Sequence, residues 1–230
     1  MMFLDGFGPI IWQGTLVTLE LSVLSLLLAF VIGLFGAGAK LSHNPVLGGI
    51  STVYTTLVRG VPDLVLMLLI FYSLQIGMNK ITESLGVDQI NLDPFVSGIV
   101  TLGFIYGAYF TETLRGAFLS VPKGQIEAGI AYGMTSWQVF HRVQFPQMMR
   151  FALPGISNNW QVMLKATALV SIIGLADVVK ASIDAGKSTY KVFFFTLVAG
   201  AIYLLLTTLS NFVLMWLERR YSMGVREAEL

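Results

Sequence analysis

EAGIAYGMTSWQVFHRVQFP, residues 127–146, is the longest stretch of the chain that reads as helical and amphipathic without being apolar enough to span a membrane. Pro122 and Gly124 break the apolar segment before it and let a new helix start near Gln125. Ile126 and Ile130 fall four apart on one face of that helix, with Glu127 turned elsewhere. Gly133 suits the left-handed position that ends a short helix. Thr135-Ser136-Trp137-Gln138 then has the form of a capping box, hydroxyl at the N-cap and Gln three residues on. A second short helix carries Trp137 with Phe140, and Val139 with Val143, and is expected to stop before Pro146. The stretch is helix, glycine turn, helix, flanked by Lys123, His141, Arg142 and Arg150.

The chain around it is a membrane protein by composition. Of its 230 residues 55% are apolar and only 12% charged, where about 25% charged is usual for a soluble domain. The mean hydropathy of +0.76 agrees. A net charge of +1, with no basic patch interleaved with aromatics, gives no reason to expect nucleic acid. There is no cysteine, hence no disulfide or thiol chemistry, and the two histidines, His43 and His141, are far apart. Neither a metal nor a cofactor is implied. The first apolar run is too long for a signal-peptide core and reads as a retained anchor.

Five spans are expected, at about 15–39, 54–78, 95–114, 151–179 and 192–217. Residues 1–14, with Pro9 and Trp12, suit a membrane interface. The turn pair Asn44-Pro45 follows the first span, and the second opens with the polar insertion Arg59-Gly60-Val61-Pro62-Asp63. Gly103 and Gly107 make a small-residue pair in the third. The fourth carries Asn158, Asn159, Gln161 and Lys165, and polar loops are expected at 79–93 and 177–191. Phe193 to Phe195 and Trp216 read as lipid-facing or interfacial anchors. The fold class expected is thus an all-α integral membrane protein of one domain, with an extramembrane helix pair at 123–146.

Lysine and arginine give the sidedness. Lys40, Arg59, Arg115, Lys123, Arg142, Arg150, Arg219, Arg220 and Arg226 fall on one side, and Lys80, Lys180, Lys187 and Lys191 on the other. The richer side is cytoplasmic by the positive-inside rule. The N-terminus is therefore expected outside, and the C-terminus and residues 123–146 in the cytoplasm.

No phosphate-binding glycine loop, serine nucleophile elbow or HExxH motif is present. Energy for uphill transport would have to come from a partner or an ion gradient. Glu127-Ala128-Gly129, three residues, Gly133, nine residues, then Val143-x-Phe145-Pro146 resembles the EAA loop of ABC importer permeases. Gly129, Val143 and Phe145 depart conservatively from the family's Ala, Ile and Leu. Arg59-Gly60-Val61-Pro62 is similar to the R-G-T-P element of the polar amino-acid branch. Tyr109 to Glu112 with Arg115-Gly116 resembles its Y-x-x-E-x-x-R-G element, and Lys165 to Leu169 its K-D-T-S-L element. From about residue 13 onward the chain most resembles the Q-type permease subunits of histidine and lysine/arginine/ornithine uptake systems. That resemblance implies a type I importer fold with five transmembrane helices, in the bacterial inner membrane. It also implies a sister permease, a cytoplasmic ATP-binding subunit dimer and a periplasmic amino-acid-binding protein. ATP hydrolysis would belong to the partner, and Glu127, Ala128, Gly129, Gly133 and Pro146 would couple to it. On the residues alone, the helix pair could instead lie on the lipid surface.

Ionisable residues inside the bilayer cost a few kcal/mol each, so each calls for a partner or a substrate. Asp63 stands where the family element continues with an apolar residue. It could face the pathway and attract a cationic side chain, or pair with Arg59 at i, i+4. Glu20 could line the pathway or a packing interface through Ser22. Glu112 with Arg115 reads more as an ion pair at i, i+3 than as a pathway ligand, though Glu112 and Arg59 stay among the pathway candidates; Lys165 could neutralise an acid or meet a substrate carboxylate. The competing classes are a self-sufficient channel or ion-coupled carrier, and a membrane enzyme, for which no polar catalytic cluster is evident.

Overall fold

The computed structural model describes residues 3–222. Arg226, counted above among the cationic side, lies outside the described residues. After a short 3-10 turn come α1 (Gly8–Leu41), α2 (Pro45–Gly60), α3 (Asp63–Ser84), α4 (Pro94–Leu119), α5 (Lys123–Ala131) and α6 (Ser136–Val139). A π-turn at Phe140–Gln144 joins α6 to α7 (Phe145–Ala166), and a 3-10 segment, Thr167–Ile173, follows. The chain closes with α8 (Val178–Thr189) and α9 (Val192–Ser222).

Four helices, α1, α3, α4 and α9, are long and apolar enough to cross a membrane. Residues Ser136–Ile173 and Val178–Thr189, bent by 54° at their break, are together long and apolar enough to count as a fifth when taken as one broken span. At about 1.5 Å per residue the 34 residues of α1 reach about 50 Å, well beyond a hydrocarbon core of about 30 Å.

α1 and α4 form the centre. They run parallel, since Leu21 meets Gly98, Leu28 meets Gly103, Ile32 meets Gly107 and Gly33 meets Phe110. The contact is backbone-close: a Cβ on Gly36 would stand 2.2 Å from Thr111 Oγ1, and one on Gly107 2.6 Å from Ile32 Cγ2. The small-residue pair therefore packs helices, as expected for association between apolar surfaces. Leu102, Ile105, Tyr106 and Phe110 of α4 make the core with Leu21, Met67, Met163 and Val170. α7 runs antiparallel to α4, with Asn159 Nδ2 donating to Thr113 Oγ1 at 3.0 Å. α9 runs antiparallel to α7, through Ser157–Glu218 (2.7 Å), Gln161–Asn211 (3.1 Å) and Thr167–Tyr203 (3.0 Å).

Four expectations need correction. The second span does not begin at 54. Val61 is extended before Pro62, which disfavours helix in the residue preceding it, so α2 and α3 are separate helices. Residues 177–191 are not a loop. Asp177 Oδ1 accepts from Lys180 N–H at 2.9 Å and starts α8, whose Ala181, Ser182, Ala185 and Gly186 are buried on one face. Pro146 does not end a helix either. It sits in the first turn of α7, where its missing N–H is one the helix leaves free, and the preceding π-turn keeps the chain helical. Phe195 is not lipid-facing: it is fully buried, edge-on to Phe7 at 6.0 Å, while Phe193 and Trp216 are exposed as expected.

These packing directions collect the C-terminal ends of α1, α4 and α9 and the N-terminal end of α7 at one pole. α5 and α6 hang there. Lys80, Lys180, Lys187 and Lys191 belong to the other pole, where Lys191 pairs with Asp5 at 2.8 Å.

Candidate functional site

Two sites emerge, one outside the helical bundle and one within it. The outer one is α5–α6. Gly133 takes φ +78° and turns the chain. Thr135 N–H donates to Gln138 Oε1 at 2.9 Å and Gln138 N–H to Thr135 Oγ1 at 3.4 Å, the reciprocal capping box. Val139 is buried against Gly129, where a Cβ would stand 3.2 Å from its Cγ2. Gly129 thus faces inward and locks the two helices together. Phe140 links the pair to the bundle, with Phe118 at 6.5 Å and Phe145 at 6.0 Å.

The outward face carries Glu127, Ala128, Ile130, Tyr132 and Trp137, all exposed, with Pro146 exposed beside the junction to α7. Tyr132 and Trp137 are 87% and 70% exposed. Large aromatics presented on a rigid knob suit docking to another protein better than solvent. Tyr132 went unread in the sequence because nothing local distinguishes it; its exposure follows from the turn at Gly133.

The inner site joins α1, α2, α3 and α4. Tyr106 Oη donates to Asp63 Oδ2 at 2.8 Å. Tyr106 stacks on Tyr109 at 5.5 Å, and the Arg59 guanidinium lies over the Tyr109 ring at 5.4 Å. Glu112 is held between Lys40 of α1 and Arg115, the latter at 2.9 Å. Lys40 Nζ also donates to Thr55 Oγ1 at 2.6 Å. Beside this cluster opens a cleft of about 360 Å³, lined by Lys40, Thr55, Thr56, Arg59, Gly60, Tyr109 and Glu112.

Asp63 and Arg59 form no ion pair, because the break at Val61-Pro62 removes the helical i, i+4 geometry. The i, i+3 pair of Glu112 with Arg115 is present, with Lys40 added from 72 residues away. Glu20 is exposed on α1 beside Val23, Leu24 and Phe95, and Ser22 donates to Leu19 O instead of meeting it. Lys165 is exposed on α7 and joins none of the ion pairs among the described residues. Neither lines the cleft. Tyr106, Tyr109 and Glu112, three apart along α4, were the legible signal for it: a polar stripe on an otherwise apolar helix.

The family described as "Binding-protein-dependent transport system inner membrane component" matches residues 29–223. The chain belongs to this family. Its role in such a transport system is that of a multi-pass inner-membrane permease, not a catalyst.

This permease is 66% identical over 227 residues to the histidine/lysine/arginine/ornithine transport system permease protein HisQ of Salmonella typhimurium, covering 99% of this chain and all of that one. It is 37% identical to the octopine transport system permease protein OccQ of Rhizobium radiobacter, covering 97% of each. Among solved structures, an amino acid ABC transporter with histidines matches with TM-score 0.78 and 31% identity, over 92% of this chain and 94% of that one. The methionine transporter MetNI shares the fold, with TM-score 0.72 and 18% identity over 94% and 98%.

Proposed function

We propose that this permease is the transmembrane subunit of an ATP-driven importer of basic amino acids, of the histidine, arginine, lysine and ornithine class. The observation that carries the substrate class is the 66% identity to a HisQ permease along 99% of the chain. The permease forms half of the pathway with a sister permease and receives substrate from a periplasmic binding protein. Its N-terminus faces the periplasm, and the pole bearing α5–α6 faces the cytoplasm.

A cytoplasmic ATPase dimer docks on Glu127, Ala128, Tyr132 and Trp137. Gly129, Gly133 and Pro146 act through the shape of the segment, fixing α5 against α6 and α6 against α7. The buried Val139–Gly129 contact makes the pair one body, and the continuous helical path from α6 into α7 gives its motion a lever. Closure of the ATPase dimer then tilts α7, and α4 with it, as a rigid rocking movement. Along the pathway Asp63 attracts the cationic side chain, Tyr106 holds the Asp63 carboxylate in place, and Arg59 and Glu112 border the cleft beside it.

Reconstitution tests the whole reading. The permease, its sister and the ATPase in proteoliposomes, with binding protein outside, should import arginine only when ATP is inside. Import by this chain alone without ATP would instead favour a self-sufficient channel or ion-coupled carrier.

A further inference from the structure

An amino acid carries a carboxylate as well as a side chain, and the pathway reading assigns a group only to the second. Arg59 is the candidate for the first. Its side chain is exposed beside the cleft and makes no ion pair among the described residues. Glu112, the acid lining the cleft, is already held by both Lys40 and Arg115. The site therefore keeps one positive charge in surplus: Lys40, Arg59 and the neighbouring Arg115 stand against Glu112 and Asp63. The face of Tyr109 supports the Arg59 guanidinium at 5.4 Å and leaves its donor edge free. A planar fork presented in this way matches a carboxylate bidentately, as a lysine would not.

We infer that Arg59 is a specificity-determining residue that binds the substrate's α-carboxylate. Asp63 binds the cationic end; it is held by Tyr106, whose ring stacks on the Tyr109 that supports Arg59. The helix break at Val61-Pro62 is what places the two opposite charges close in sequence without letting them neutralise each other. The site then discriminates amino acids from the amines formed by their decarboxylation. This inference rests on the reading that the cleft borders the pathway.

The test uses the purified complex of permease, sister subunit and ATPases in detergent, without binding protein, so that only the membrane site is read. Labelled arginine is displaced by arginine or by agmatine, which lacks the carboxylate. The wild type should prefer arginine by about tenfold or more, the worth of one charge-assisted hydrogen-bond pair. Arg59→Gln should bring the two ligands to roughly equal affinity, while Arg59→Lys keeps part of the preference. Asp63→Asn should weaken both ligands alike and leave their ratio unchanged. A wild type that binds both equally, or an Arg59→Gln variant that retains the preference, overturns the inference. If Asp63→Asn acts and Arg59→Gln does not, the pathway reading stands and the carboxylate role falls. If neither substitution changes arginine binding, the pathway reading falls with it. Melting temperatures of the variant complexes show that the fold is intact, as expected for an exposed side chain.

Discussion

Replacing Trp137 with alanine separates docking from folding. The indole is 70% exposed, and its ring neighbours are Phe140 at 5.8 Å and His141 at 6.1 Å. Losing such aromatic contacts costs about 0.5–1.5 kcal/mol of local stability, and the buried Val139 and the capping box remain to hold the segment. A docked partner would cover the exposed part. A Trp buries roughly 150–250 Å² in all, so about 100–170 Å² is available to an interface. At roughly 25 cal/mol per Å² that is worth about 3–4 kcal/mol. Imperfect packing in the complex lowers the figure, and a loss of about 2 kcal/mol is typical of an interface anchor. ATPase affinity should fall roughly thirtyfold or more, measured by titrating labelled ATPase onto the permease pair in nanodiscs. Permease melting should move little in the same samples. Unchanged ATPase affinity would refute the docking role, and so would a loss accompanied by a collapse of the permease's own melting transition.

Asp63→Asn keeps an acceptor for Tyr106 Oη but removes the charge. Opposite charges at about 4 Å attract by roughly 4 kcal/mol at an effective dielectric of about 20. Arginine uptake at low concentration should fall at least about tenfold, while uptake of a neutral amino acid changes little; equal effects would count against a charge-reading role. Gly36→Leu should be far more damaging to the fold, because its Cβ alone would stand 2.2 Å from Thr111 Oγ1. Overpacking of this kind costs about 1–3 kcal/mol or more, visible as a lowered melting temperature or loss of folded yield. Thr135→Ala removes the α6 cap and should cost about 0.5–2 kcal/mol locally. Faster amide exchange confined to residues near α6 would report it, whereas global destabilisation would contradict a local cap.

Much of this permease is legible in one dimension because the interactions concerned are short-range. Hydrophobic runs long enough to cross a bilayer are contiguous in sequence, the capping box at Thr135–Gln138 and the turn at Gly133 depend on residues within four positions of one another, and the structure contains all of them. The same locality explains the errors. Pro62 and Pro146 look alike as helix breakers, yet one separates α2 from α3 and the other sits within a continuous path. Pro62 follows an extended Val61, whereas Pro146 follows a π-turn whose residues stay helical.

What the tertiary structure alone decided is which distant side chains meet. Lys40 reaches Glu112 across 72 residues, Asp63 takes Tyr106 rather than Arg59, and Asp177 and Phe195 turn out fully buried. Each outcome depends on the rotation of one packed helix against another; for Lys40 and Glu112 that rotation is set by the glycine seam between α1 and α4. The periodicity of a single helix marks its polar stripe. Which neighbour that stripe faces is a property of the packing.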